Sequence, residues 1–358
     1  MIFTLLFSTI LVAILSKLFT QNVSKRQQIQ FLLLCIGFIL FAGLRSWDTF
    51  SDTDGYYAHF NKVSDISNFW QVPEERFETG YLIFEKFFHK HISSSPEVFI
   101  LFISFVVFSS VFLLIKREAK SVWFPAYLIV GLYLFVSGLV CPVRQSLATA
   151  ICIWGYFALK EKRVILSVLL ILLASTIHSS AICFLVIVPA SFLSVNRKNF
   201  FLITFCAIFC IGSFGSILDF FGKGDSVYLL DEKYQLGNIL DLIKIALILI
   251  FFQLFYKENK DKKRLLVWLS IISLCSAVMS LKITALNRAC SYFELYLFIL
   301  LTNTIYGLPR NKRMLYQCAL LMIGFVYLYT IYTEKPGWNR VNEYHTIWEH
   351  PYNQTITT

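Results

Sequence analysis

Residues 164–193 read VILSVLLILLASTIHSSAICFLVIVPASFL, and the threading of this run decides the fold. It is apolar throughout, yet basic residues flank both ends, Lys160 to Arg163 before it and Arg197-Lys198 after it. A single crossing would place those flanks on opposite sides, against the tendency of Lys and Arg to stay on one face of a membrane. Roughly 30 residues at 1.5 Å each would also make a helix of about 45 Å, too long for one span without steep tilt. The run is therefore expected to reverse, as two short helices, 164–178 and 179–193, meeting at Thr176-Ile177-His178-Ser179-Ser180. Irregular backbone that lines a cavity at membrane depth has this short, polar-tipped form.

The rest of the chain has the same character. Hydrophobic residues make up 57% and charged residues 15%, against roughly 25% charged in soluble domains, and apolar runs long enough to span a bilayer recur throughout. This predicts an all-α, polytopic integral membrane protein forming one transmembrane domain over 1–358. Its expected spans are 2–20, 29–45, 97–115, 121–141, 143–159, 164–178, 179–193, 199–218, 239–256, 265–282, 286–306 and 314–332. The net charge of +10 does not imply nucleic acid, because the basic residues lie in short clusters between apolar runs, the positive-inside pattern. Those clusters are Lys25-Arg26, Lys116-Arg117 with Lys120, Lys160 to Arg163, Arg197-Lys198, Lys257 to Arg264 and Arg310 to Arg313. With all six inside, the outer face receives a large loop over 46–96, a second loop over 219–238 and a tail over 333–358, and both termini face outward. The first run has basic residues after it and none before, the reverse of a cleaved signal peptide. Within the large loop, Phe77 to His91 is amphipathic and could lie on the membrane surface. The nine cysteines show no metal-ligand spacing and are expected as small buried hydrophobes. Cys141 and Cys290 both fall near the outer face, where they could pair as a disulfide.

Ionisable residues at membrane depth are costly, so each is a functional candidate. Arg45 ends the second span just before the acidic loop, as a site residue or a snorkelling interface arginine. Arg144 begins a helix after Pro142, beside exposed amides, where its fork and the helix terminus make an anion site; the alternative is a structural pair with an acidic residue of the outer loop. Arg288 is followed by Tyr292 and Tyr296 at helical spacing, an arrangement that suits a sugar–phosphate group or simple packing. His178, at the turn of the central run, is a candidate base, phosphate ligand or core histidine. The outer loop holds Asp48, Asp52, Asp54, Glu74, Glu75 and Glu78. Asp52-Thr53-Asp54 has the DxD form that binds metal in many glycosyltransferases, but a carboxylate positioning a sugar hydroxyl is preferred, and no metal or cofactor is assigned. The tail segment Trp348-Glu349-His350-Pro351-Tyr352 carries aromatics suited to stacking on sugars or to anchoring at the interface.

Together these residues resemble the EpsG family of Wzy-like polysaccharide polymerases. The matching pieces are Arg45, then Asp52-Thr53-x-x-Tyr56 with Phe60, Glu78-x-Gly80-Tyr81, Arg144-Gln145, Leu173-Ala174-x-x-Ile177-His178-Ser179-Ser180-Ala181 and Arg288-x-x-x-Tyr292-Phe293. The resemblance covers about 40 to 310 and departs at Ser51, where the family more often has glycine, so either Asp52 or Asp54 takes the acidic role. It implies a GT-C-like fold in the bacterial cytoplasmic (inner) membrane and a polymerase joining undecaprenyl-pyrophosphate-linked repeat units on the outer face, for O antigen, capsule or exopolysaccharide. Donor and acceptor glycolipids, membrane lipid and a chain-length regulator are the implied partners. Arg144, His178, Arg288 and Asp52 would be catalytic, and Arg45, Asp54, Tyr56, Glu78, Gln145 and Tyr292 would bind substrate. A flippase or exporter, an O-antigen ligase and a glycan O-acetyltransferase remain as alternatives.

Overall fold

The computed structural model describes residues 1–63, 77–193, 232–255, 264–281 and 287–352. The expected span 199–218, most of the 219–238 loop, Glu74, Glu75, Cys206, Cys210, Arg197-Lys198 and Lys257 to Lys263 lie outside these residues. The described chain is helical with no strand, and it contains five helices long and apolar enough to cross a membrane, with shorter apolar helices between them.

The outer face of the bundle is greasy. Leu11, Leu33, Phe105, Leu169, Leu247, Met322 and Val326 are exposed, as expected where lipid is the solvent. Helix α1 (Ile2–Phe19) leads to α2 (Val23–Gly43), whose start is capped by the Asn22 side chain. Two shorter helices follow, α3 (Thr53–Lys62) and α4 (Thr79–His91), the latter on the predicted amphipathic stretch. Ser95 caps α5 (Pro96–Glu118), with proline at the first helical position.

The expected span 121–141 is not one helix. It forms α6 (Trp123–Gly131), a break in which Tyr133 takes a φ of 71°, and a π-helical turn over Phe135–Val140. A left-handed φ is costly for a residue with a side chain. Tyr133 is held there by hydrogen bonds from its hydroxyl to the Trp338 carbonyl at 2.8 Å and from the Asn339 amide at 3.2 Å.

The central run does reverse. Helices α7 (Val143–Lys160) and α8 (Val164–Ile177) pack as an antiparallel pair joined by a tight turn. His178 is extended, and a 3₁₀ segment (Ser179–Val186) and α9 (Ile187–Phe192) carry the chain back. The remaining helices are α10 (Glu232–Phe255), α11 (Arg264–Ser280), α12 (Asn287–Ile305) and α13 (Arg310–Glu334). The returning limb runs beside α12 and α11: Ser180 meets Tyr292 at 3.2 Å and Phe184 stacks on Phe293 at 5.4 Å, both on α12, and the Leu193 carbonyl accepts from the Trp268 indole of α11 at 3.0 Å.

Basic clusters gather at one end of the bundle. At one end Lys160 pairs with Glu118, Asn303 bonds the backbone of Glu118 and Lys120, Gln27 donates to the Lys120 carbonyl, and Arg313 lies over Tyr306. Four of the basic clusters therefore share that end, while Arg45, Glu78, Arg144 and His178 lie at the other. Cys141 and Cys290 are both free and buried, so the disulfide does not form.

A buried ion cluster joins the late helices. Lys244 on α10 lies 2.8 Å from Asp241 and pairs with Glu294 on α12, and Glu294 is almost fully buried. Removing one partner of such a group leaves an uncompensated buried charge, at a cost of about 3–5 kcal/mol. Lys244→Met is expected to lower the yield of monodisperse protein after detergent extraction, and a yield and melting temperature equal to wild type would refute this role.

Candidate functional site

The site is organised by Glu78, at the start of α4. Helix α4 approaches α8 so closely that a Cβ on Gly80 would lie 2.6 Å from the Thr176 backbone oxygen. Only glycine fits there, and the contact sets Glu78 against the turn at the end of α8. One carboxylate oxygen receives the Arg144 guanidinium. The other lies 3.1 Å from His178 Nδ1 and accepts from the Ser179 amide at 2.9 Å and its hydroxyl at 3.2 Å. Burial alone would raise the Glu78 pKa, but bonds from His178 and Ser179 and the charge of Arg144 outweigh it and hold the carboxyl down at about 2. Glu78 is therefore an anion at any ordinary pH.

This arrangement orients the imidazole. With Glu78 as acceptor, Nδ1 carries a proton, and in the neutral ring Nε2 keeps the lone pair. That Nε2 is buried and has no hydrogen-bond partner. Arg144 is backed by the Phe77 ring at 4.1 Å, and Phe77 in turn stacks on Tyr56 at 5.8 Å. Arg144 Nε and the Tyr81 hydroxyl are likewise buried without partners. A protonatable ring nitrogen, a cation and spare donors thus converge around one carboxylate.

The other sequence candidates fall into three places. Gln145 donates to the Arg288 carbonyl at 3.0 Å and to the Ser291 hydroxyl, tying the start of α7 to the start of α12 beside the Glu78 group. Arg288 itself is exposed, with no ion pair among the described residues. Tyr292 is buried and bonds Ser180, next to the Ser179 that contacts Glu78, while Tyr296 packs against Tyr156 at 5.0 Å.

Arg45 is different in kind. It is 2% exposed, and its guanidinium donates to the carbonyls of Ala42 and Val140 and to Thr53 Oγ1. It joins the end of α2 to the π-helical turn and to α3, so in this structure it braces the loop. Asp52 stands just before α3 with a φ of 68°, exposed, one turn from Tyr56. Asp54 accepts from the Gly55 amide at 2.8 Å and lies 3.6 Å from Arg340. The DxD carboxylates thus sit around the start of α3, and neither touches Glu78.

Two features escaped sequence reading. One is Ser179 as a double donor to Glu78, for which the only hint was polarity at the turn. The other is the tail, which folds back on the loop after α2: Arg45 pairs with Thr346 in an antiparallel bridge, and Ser51 N donates to the Asn339 carbonyl at 3.1 Å. This brings Asp48, His345 and His350 together. A model of the EpsG family matches residues 28–346. No curated protein matches the chain, and no solved structure does.

Proposed function

The chain belongs to the EpsG family, and from that premise we propose that it is a polysaccharide polymerase joining undecaprenyl-pyrophosphate-linked repeat units at the outer face of a bacterial cytoplasmic membrane. One observation carries the reading: one Glu78 oxygen holds His178 by Nδ1, leaving Nε2 without a partner, and the other holds Arg144. That is the geometry of an oriented general base next to an anion-binding cation.

In the proposed reaction the acceptor hydroxyl of one lipid-linked glycan attacks the anomeric carbon of another. The O–H proton passes to His178 Nε2. The bond from the anomeric carbon to the pyrophosphate oxygen breaks, and undecaprenyl pyrophosphate departs with the electron pair. Arg144, and Arg288 from the exposed start of α12, stabilise the charge that develops on the diphosphate. Asp52, or Asp54, and Tyr56 are assigned to the sugars. Arg45 acts through the loop it braces. Both termini are placed outside, and a chain-length regulator is a partner of the same reading.

The test is the lipid-linked and surface glycan profile of a deletion strain, separated by gel. Single repeat units in place of a ladder support the polymerase. Repeats trapped inside, with no surface glycan, would indicate a flippase instead. Full-length polymer that stays on the lipid carrier would indicate a ligase. An unchanged ladder would exclude all three.

A further inference from the structure

Far along the chain from the Glu78 group, the tail and the loop after α2 build a second cluster. His345 Nδ1 lies 3.0 Å and His350 Nδ1 2.6 Å from the same oxygen of Asp48, Oδ2. The two rings face each other at 3.9 Å. The other oxygen, Oδ1, is buried and accepts no hydrogen bond.

The ligand atoms are held from behind. Ser46 N donates to the His345 carbonyl at 2.9 Å, and the Thr49 hydroxyl both donates to that carbonyl and accepts from His345 N, each at 2.8 Å. Ser46 Oγ donates to the His350 carbonyl. Between the histidines, Glu349 accepts from the Thr346 amide at 2.7 Å and its hydroxyl at 3.0 Å, closing a turn that sets both rings on one side. Backbone clamps of this kind fix first ligands in place.

We propose that Asp48, His345 and His350 form a zinc site that clasps the C-terminal tail to the loop after α2. Two imidazole nitrogens and one carboxylate are a zinc donor set, and imidazole disfavours calcium and magnesium. A tetrahedral ion about 2.0–2.1 Å from its ligands spaces them about 3.3 Å apart, so the observed positions need only small shifts. Zinc replaces the Nδ1 protons that now face Asp48 Oδ2, and the half-exposed histidines leave a coordination position open to water.

The experiment uses the full chain purified in nanodiscs and stripped with EDTA. Zinc is titrated in competition with a chromophoric chelator, and tryptic cleavage after Arg340 in the tail is followed in parallel. Wild type is expected to bind one equivalent and to be cut more slowly once loaded. In His345→Ala and His350→Ala, affinity falls by more than the roughly 10- to 100-fold that loss of an outer partner costs, and zinc no longer slows cleavage. His350 is half exposed, so its variant keeps the fold, and His91→Ala serves as the control that retains binding. Absence of a competing site in wild type, or affinity unchanged in both variants, would overturn the proposal. Binding without slower tail cleavage would overturn the clasp.

Discussion

Arg144→Ala is expected to abolish polymer and leave lipid-linked single repeats, while the protein accumulates in the membrane at its normal level. The guanidinium pairs with Glu78 and stacks on Phe77, so two readings compete, a brace for α4 and a cation for the leaving group. They differ in what survives the substitution. Without Arg144, Glu78 still accepts from His178 and Ser179, so the fold keeps its anchor. The leaving diphosphate loses a preorganised donor, worth about 100- to 1000-fold in rate. Arg144→Lys restores the charge without the bidentate fork and should recover only short chains. Polymer of normal length from Arg144→Ala would sink the assignment, and a missing protein band would point to the brace.

The second large effect is at the Glu78–His178 pair. His178→Ala removes the base and should slow polymerisation by about 100- to 10,000-fold, again with normal protein levels. His178→Gln, which can still bond Glu78, should be equally inactive; activity near wild type in that variant would reduce His178 to a packing residue. Glu78→Gln tests the orienting role and has a pH signature. The Glu78 carboxyl sits at about 2 instead of 4.5. A depressed folded-state value means stabilisation that is fully present above about pH 4.5 and lost as pH falls toward 2. The difference in melting temperature between wild type and Glu78→Gln should therefore be constant from neutral pH to about pH 5 and shrink below it. A difference that grew on acidification would contradict the ion pair.

Much of the fold was legible because it rests on signals that are local or additive. Apolar length marks a span and Lys and Arg flanks constrain its sense, so the reversal at His178 followed from charge parity and helix length together. The break inside 121–141 was hidden for the opposite reason. That window is uniformly apolar, and what ends α6 is Tyr133 bound to Trp338 and Asn339, partners some 200 residues away. The site was legible as ingredients. Glu78, Arg144 and His178 were each singled out, but their meeting depends on the fit of Gly80 against Thr176, which no spacing reports. Arg45 shows the limit of the membrane-depth rule. A charged residue at a helix end is conspicuous in sequence whether it meets substrate or, as here, three protein oxygens.

The fold-back of the tail also orders events in time. Thr49 waits for a partner 296 residues further on. At about 5–20 residues per second, that interval is on the order of 15 to 60 seconds of translation. During it, the loop that carries Arg45 and Asp52 lacks the hydrogen bonds that the tail supplies. Closure of this loop thus waits on residues made long after it, and a ribosome that stops before residue 339 releases a chain in which the loop keeps none of these bonds.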